Sequence, residues 1–158
     1  MIVTFDFDDT LLMTRPDEDA GIVEDGPNEE NIAKMRAFLD AGHEVHIVTT
    51  RFRRQENTPD VDPWGRRDTS VRSFLRDHDL LDRVAGIHFT EGVVKTDTLR
   101  RLGSQMHFDD DDAELAKNQA RGDLRFDQII DQFPGAAALQ CLVDLDGNLQ
   151  IQFTNVLA

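Results

Sequence analysis

With one cysteine, Cys141, the chain cannot close a disulfide within itself; this suits a reducing compartment, and the residue reads as a small core side chain rather than a nucleophile. No apolar run approaches the length needed to cross a bilayer, which excludes a membrane-spanning role. A secretory signal would need a basic start and a long apolar segment, but acids follow the opening "MIVTF" at once, so the reading is a cytoplasmic protein. The sequence has no Gly-Lys pair and hence no P-loop. An EF-hand beginning at Asp6 would need Gly and Glu where Leu11 and Asp17 stand, and one beginning at Asp144 would need Gly where Leu149 stands. Lysine is scarce, with only Lys34, Lys95 and Lys117, and most of the acids are aspartate, a bias that suits a saline habitat.

What is present fits one globular domain spanning 1–158, with a core to about residue 135 and a hairpin from about 136 to 158. The net charge of -14 argues against polyanion binding by the whole surface. Its distribution is uneven. Arg51 to Arg76 holds seven arginines against four acids, a basic segment on an acidic body that can hold an anionic substrate in one place.

The stretch "VTFDFDDTLL", residues 3–12, puts three aspartates directly behind a short apolar run. The run reads as a buried strand, so the acids sit at a strand end, with Asp6 and Asp8 on one side and Phe5 and Phe7 on the other. Like charges held this close call for a shared cation or a retained proton. Residues 11–27 read as a loop or small hairpin, and Asn28 with Asn31 opens a helix through Ile32, Met35, Phe38 and Leu39 that stops at Gly42. A strand is expected over 44–50, a loop over 52–67, a helix over 70–81, a strand over 85–90, a helix from Lys95 to Leu102 and a strand over 105–110. An acidic helix follows over 112–121, 124–134 is ambiguous, and the tail alternates around Asp146-Gly147 as a hairpin does. The alternation of strands and helices implies an α/β fold with a mostly parallel central sheet, whose sites form beyond the carboxyl ends of the strands.

In order, the chain carries D-x-D-x-T at 6–10, an apolar strand ending T-T-R at 49–51, Lys95, and an apolar strand ending in Asp109-Asp110. From about residue 2 to 112 this resembles the haloacid dehalogenase superfamily of aspartate-based phosphotransferases, of the capless type and similar to polynucleotide 3'-phosphatase domains. The resemblance implies a Rossmann-like three-layer sandwich without a large cap. It also implies a nucleophile at Asp6 and a general acid and base at Asp8. Thr49, or Thr50 beside it, would hold the phosphoryl oxygens and Lys95 would neutralise them. Mg²⁺ would be bound by Asp6, Asp109 and Asp110 together with the backbone carbonyl of Asp8. Asp9 stands where the family often has glycine.

This assignment agrees with the chemistry of the residues. A carboxylate attacks a dianionic phosphate only where a divalent cation and a lysine suppress the repulsion, and the second acid can protonate the leaving oxygen and then activate water. Neither inter-motif gap has room for a large cap, so the resemblance implies an open site and a bulky or extended substrate, or one covered by a partner, with a nucleotide or nucleic-acid terminal phosphate favoured over a sugar phosphate or phosphoprotein. Arg51, Arg53 and Arg54, leaving the second strand, are expected at the rim as ligands for a further phosphate or a nucleic-acid backbone. His46 and His107 read as packing residues, His88 lies near a strand end and could approach the site, and Trp64 reads as an anchor for its own loop. A non-catalytic phosphate-binding module with the same fold is the alternative from outside enzymology.

Overall fold

The structure is a computed structural model that describes residues 1–57, 60–62, 65–67, 69–110, 141–143 and 149–150. Trp64, the acidic helix expected over 112–121, the ambiguous 124–134 stretch and the Asp146-Gly147 turn lie outside the described residues.

Four parallel strands carry the fold: β1 (Ile2–Phe5), β4 (Glu44–Thr49), β7 (Gly86–Phe89) and β8 (Met106–Phe108). They lie in the order β8-β1-β4-β7, with Val3 opposite both Val45 and Met106. Between them run the helices α1 (Glu29–Asp40), α2 (Val71–Asp77) and α3 (Thr96–Leu102), giving the expected α/β class. Two further short strands, β9 (Cys141–Val143) and β10 (Leu149–Gln150), pair antiparallel with each other, and β9 pairs antiparallel with β8. Among the described residues no helix is long and apolar enough to cross a membrane.

Alternation along the strands sorts the two faces of the sheet. Val3, Phe5, Val45, Ile47, Met106 and Phe108 join Ile32, Met35 and Phe38 of α1 and Val71, Phe74 and Leu75 of α2 in one core. Phe5 stacks on Phe108 with ring centroids 4.4 Å apart, and Phe38 meets Phe5 edge-on at 6.4 Å. Ile2, Thr4, His46 and His107 have the opposite parity, and Ser104, just past α3, reaches the Thr4 hydroxyl at 2.7 Å on that side.

Helix α1 begins and ends where its residues dictate. The Asn28 side chain accepts from Asn31 N (3.2 Å) as N-cap, and Gly42 takes the left-handed φ of 83° that lets His43 N return to Phe38 O at 3.0 Å.

Two hairpins stand over the carboxyl edge of the sheet. The first, β2 (Leu12–Asp17) with β3 (Gly21–Pro27), occupies the stretch expected as loop or small hairpin. The second corrects the loop expected over 52–67. A 3-10 turn, Arg53–Glu56, is followed by the antiparallel strands β5 (Asp60–Asp62) and β6 (Gly65–Arg67), and β6 lies beside β3. Strands of three residues are too short to display an alternating pattern, which is why the sequence reads as loop there.

Candidate active site

The carboxyl ends of β1 and β8 and the start of α3 bring four charged side chains together. Asp6 continues the pairing of β1 past its last residue, its N–H donating to Phe108 O at 2.8 Å, and Asp109 directly follows β8. Lys95 caps the start of α3 and aims its ammonium between them, with Nζ 2.8 Å from Asp6 Oδ1 and 2.5 Å from Asp109 Oδ2. Asp6, Lys95 and Asp109 are all buried, at 6%, 2% and 3% exposure. Asp110 completes the group at the solvent side, where the Thr10 hydroxyl lies 3.3 Å from both Asp6 Oδ2 and Asp110 Oδ1.

The electrostatics are those of too few cations. Burial opposes ionisation of Asp6, and although Lys95 counters it, the neighbouring Asp109 and Asp110 help to hold its carboxyl well above the usual range. Burial also works against Asp109, but the hydrogen bond from His107 and the Lys95 charge outweigh it and hold that carboxyl well below the usual range. Asp110 is open to solvent at its surface, yet packed atoms around its carboxyl and the Asp109 charge push it up to about 6. Burial disfavours the charge on Lys95, and Asp6 and Asp109 together more than restore it, raising its ammonium above the usual lysine range.

Asp6, Asp109 and Asp110 each offer one oxygen, and these oxygens lie within 4.8 Å of one another. Oxygen-only donors at this spacing fit a hard divalent cation, and the proton affinities of Asp6 and Asp110 are raised by burial first and by neighbouring carboxylates second. The Asp8 side chain is not in this group.

Asp8 points instead at Arg51. Arg51 Nε donates to Asp8 Oδ2 and Nη2 to Oδ1, both at 2.8 Å, a two-pronged fork. Arg51, expected at the rim with Arg53 and Arg54, is in fact buried, while both of its neighbours are exposed. Arg53 lies over the Phe89 ring (5.3 Å) and Arg54 over the Phe52 ring (4.8 Å).

Of the two threonines ending the second parallel strand, Thr49 is buried with its Oγ1 accepting from Arg51 N at 3.2 Å, and Thr50 is exposed. Asp9 has φ 60°, and its carboxylate accepts from Thr14 N (2.8 Å) and Thr14 Oγ1 (2.6 Å). A left-handed backbone explains why this position suits glycine or aspartate.

His46 packs inside β4 as expected, bonded to Glu44 (2.7 Å) and to His88 Nε2 (3.0 Å), so His88 turns to His46 rather than to the carboxylates. His107 does more than pack. Its Nε2–H donates to Asp109 Oδ2 at 2.9 Å while Nδ1 meets Thr4 Oγ1 at 2.8 Å. Strand alternation held the signal, because residues 107 and 109 lie on one side of an extended chain. The partnership of Arg51 with Asp8 had no comparable signal, since it joins residues 43 apart in the chain.

Compared with known proteins, the chain matches no family model, and no curated protein or solved structure is significantly similar to it.

Proposed function

We propose that this chain is a Mg²⁺-dependent phosphomonoester hydrolase that works through an aspartyl-phosphate on Asp6, as a haloacid dehalogenase-type phosphatase. The observation that carries the reading is the convergence of Asp6, Lys95 and Asp109, from three separate segments at the carboxyl edge of a parallel sheet, with Asp110 close enough to share a cation with the two acids. The finer architecture belongs to the same reading: a Rossmann-like three-layer sandwich with a C-terminal hairpin and, in place of a large cap, small hairpins only.

Asp6, Asp109 and Asp110 would hold Mg²⁺, which supplies charge neutralisation for the phosphoryl oxygens when bound. Asp6 attacks phosphorus. Lys95 keeps positive charge beside the attacking carboxylate and the transferring group, and the Thr49 hydroxyl orients a phosphoryl oxygen. Asp8 gives a proton to the leaving oxygen and then takes one from the water that hydrolyses the acyl phosphate.

The favoured substrate is a nucleotide or nucleic-acid terminal phosphate. The exposed Arg53 and Arg54, a few residues past the carboxyl end of β4, would supply the positive charge such a substrate seeks.

The test is Mg²⁺-dependent phosphate release from p-nitrophenyl phosphate, nucleoside 3'- and 5'-monophosphates, 3'-phosphorylated oligonucleotides, sugar phosphates and a phosphopeptide. Release by the wild type, with a loss of about 10³-fold or more in Asp6→Asn, is the expected result. Phosphate binding without release across the panel would replace this reading with a non-catalytic phosphate-binding module.

A further inference from the structure

We infer that Arg51 is the positioning residue of Asp8, a buried fork that sets the direction in which the general acid meets the leaving group. The inference rests on the phosphatase reading above and deepens it.

The geometry of the pair is over-determined. Two guanidinium nitrogens take the two oxygens of Asp8 at 2.8 Å each, and the third, Nη1, donates to Thr69 O at 2.6 Å. The guanidinium also lies over the Phe7 ring, 4.7 Å from its centroid. Thr69 is itself fixed, because its N–H donates to Glu24 Oε1 at 2.9 Å and its hydroxyl to Glu24 Oε2. Glu24 lies on β3, so the fork is braced from the hairpin that stands over the sheet edge.

The pair is also asymmetric. The Arg51 side chain is 4% exposed and that of Asp8 24%, so the guanidinium stands behind and presents the carboxylate outward. Burying the Arg51 guanidinium takes a charge out of water, a cost that offsets much of its attraction to Asp8 and makes the pair a poor device for stability alone. Orientation of a catalytic carboxylate is a function that justifies that cost. The same burial removes Arg51 from the rim, so it is not a ligand for a second substrate phosphate.

General-acid help matters for a basic leaving group and hardly at all for one that departs as a stable anion. The first turnover is therefore followed for two esters, p-nitrophenyl phosphate and a nucleoside 3'-monophosphate, by quenched-flow release of nitrophenolate and of nucleoside. Asp8→Asn provides the reference pattern. In Arg51→Gln, release of nucleoside falls about 100-fold while release of nitrophenolate falls less than tenfold, and Arg51→Lys, which keeps the charge without the planar fork, lies between wild type and Gln. KM for both esters stays near its wild-type value.

An equal fall for both esters in Arg51→Gln, beside a selective fall in Asp8→Asn, would reduce Arg51 to a structural residue and overturn the inference. So would a raised KM with unchanged kcat, the signature of a substrate-phosphate ligand. Should Arg51→Gln fail to fold, the same ratio is read from Arg51→Lys, where no selectivity toward the nucleoside ester is the contradicting result. A wild type that releases phosphate from no ester of the wider panel above sinks the phosphatase reading itself, whereas selectivity in Asp8→Asn without it in Arg51→Gln sinks only the assignment of Arg51.

Discussion

Asp6 and Asp109 share the Lys95 ammonium at the edge of the sheet with Asp110 clustered beside them, and Asp110 is where the imbalance is open to measurement. Burial of its carboxyl and the charge on Asp109 push Asp110 up to about 6. A carboxyl that titrates higher folded than unfolded contributes stability while it is protonated; that contribution is full below the unfolded carboxylate range and is lost as pH rises through about 6. Asparagine mimics the protonated form. In chelator-treated protein, Asp110→Asn is therefore expected to be more stable than wild type at pH 8, by about 1 kcal/mol once solvent screening is allowed for. The gain should vanish near pH 4, as read by urea denaturation at the two pH values.

At the scale of the element, strand β8 shows how three residues position a site. Met106 and Phe108 are spent on packing, and the intervening parity carries His107 to Asp109. His107→Leu keeps the strand apolar but removes the donor that orients Asp109. Mg²⁺ affinity measured by calorimetry should fall by about 10-fold or more, and unchanged affinity would leave His107 a packing residue only.

The elements also show what was legible in the sequence. The strands β1, β4, β7 and β8 and the helix α1 stand within a residue or two of their expected bounds, because apolar runs and an Asn cap followed by a Gly stop are strong local signals. The β5–β6 hairpin was not legible, its strands being too short for a period. Asp6, Lys95, Asp109 and Asp110 could be brought together on paper because all fall at strand carboxyl ends or a helix start. The burial of Arg51 could not, since local composition shows a row of arginines and only tertiary contact tells which one turns inward.

At the scale of the whole molecule the dominant fact is a net charge of -14 on 158 residues with three lysines. Self-repulsion of this kind destabilises the compact state and is screened by salt. Thermal unfolding followed from about 10 mM to 1 M NaCl should show Tm rising by several degrees, and a salt-independent Tm would remove the link between composition and a saline setting. The same acidic body leaves Arg53 and Arg54, exposed beside the sheet edge, as local exceptions to the prevailing sign. On the function proposed above, an anionic substrate would be guided to that place.

Asp6 is the proposed nucleophile, and the most direct measurement is to trap its phosphorylated form. Acid quench within the first turnover, followed by peptide mass analysis, should find one phosphoryl group on the peptide containing Asp6. The label should be lost on treatment with hydroxylamine and be longer-lived in Asp8→Asn, where water is not activated. Substrate turnover with no phosphoryl group on that peptide, or with the label on another residue, would contradict the account.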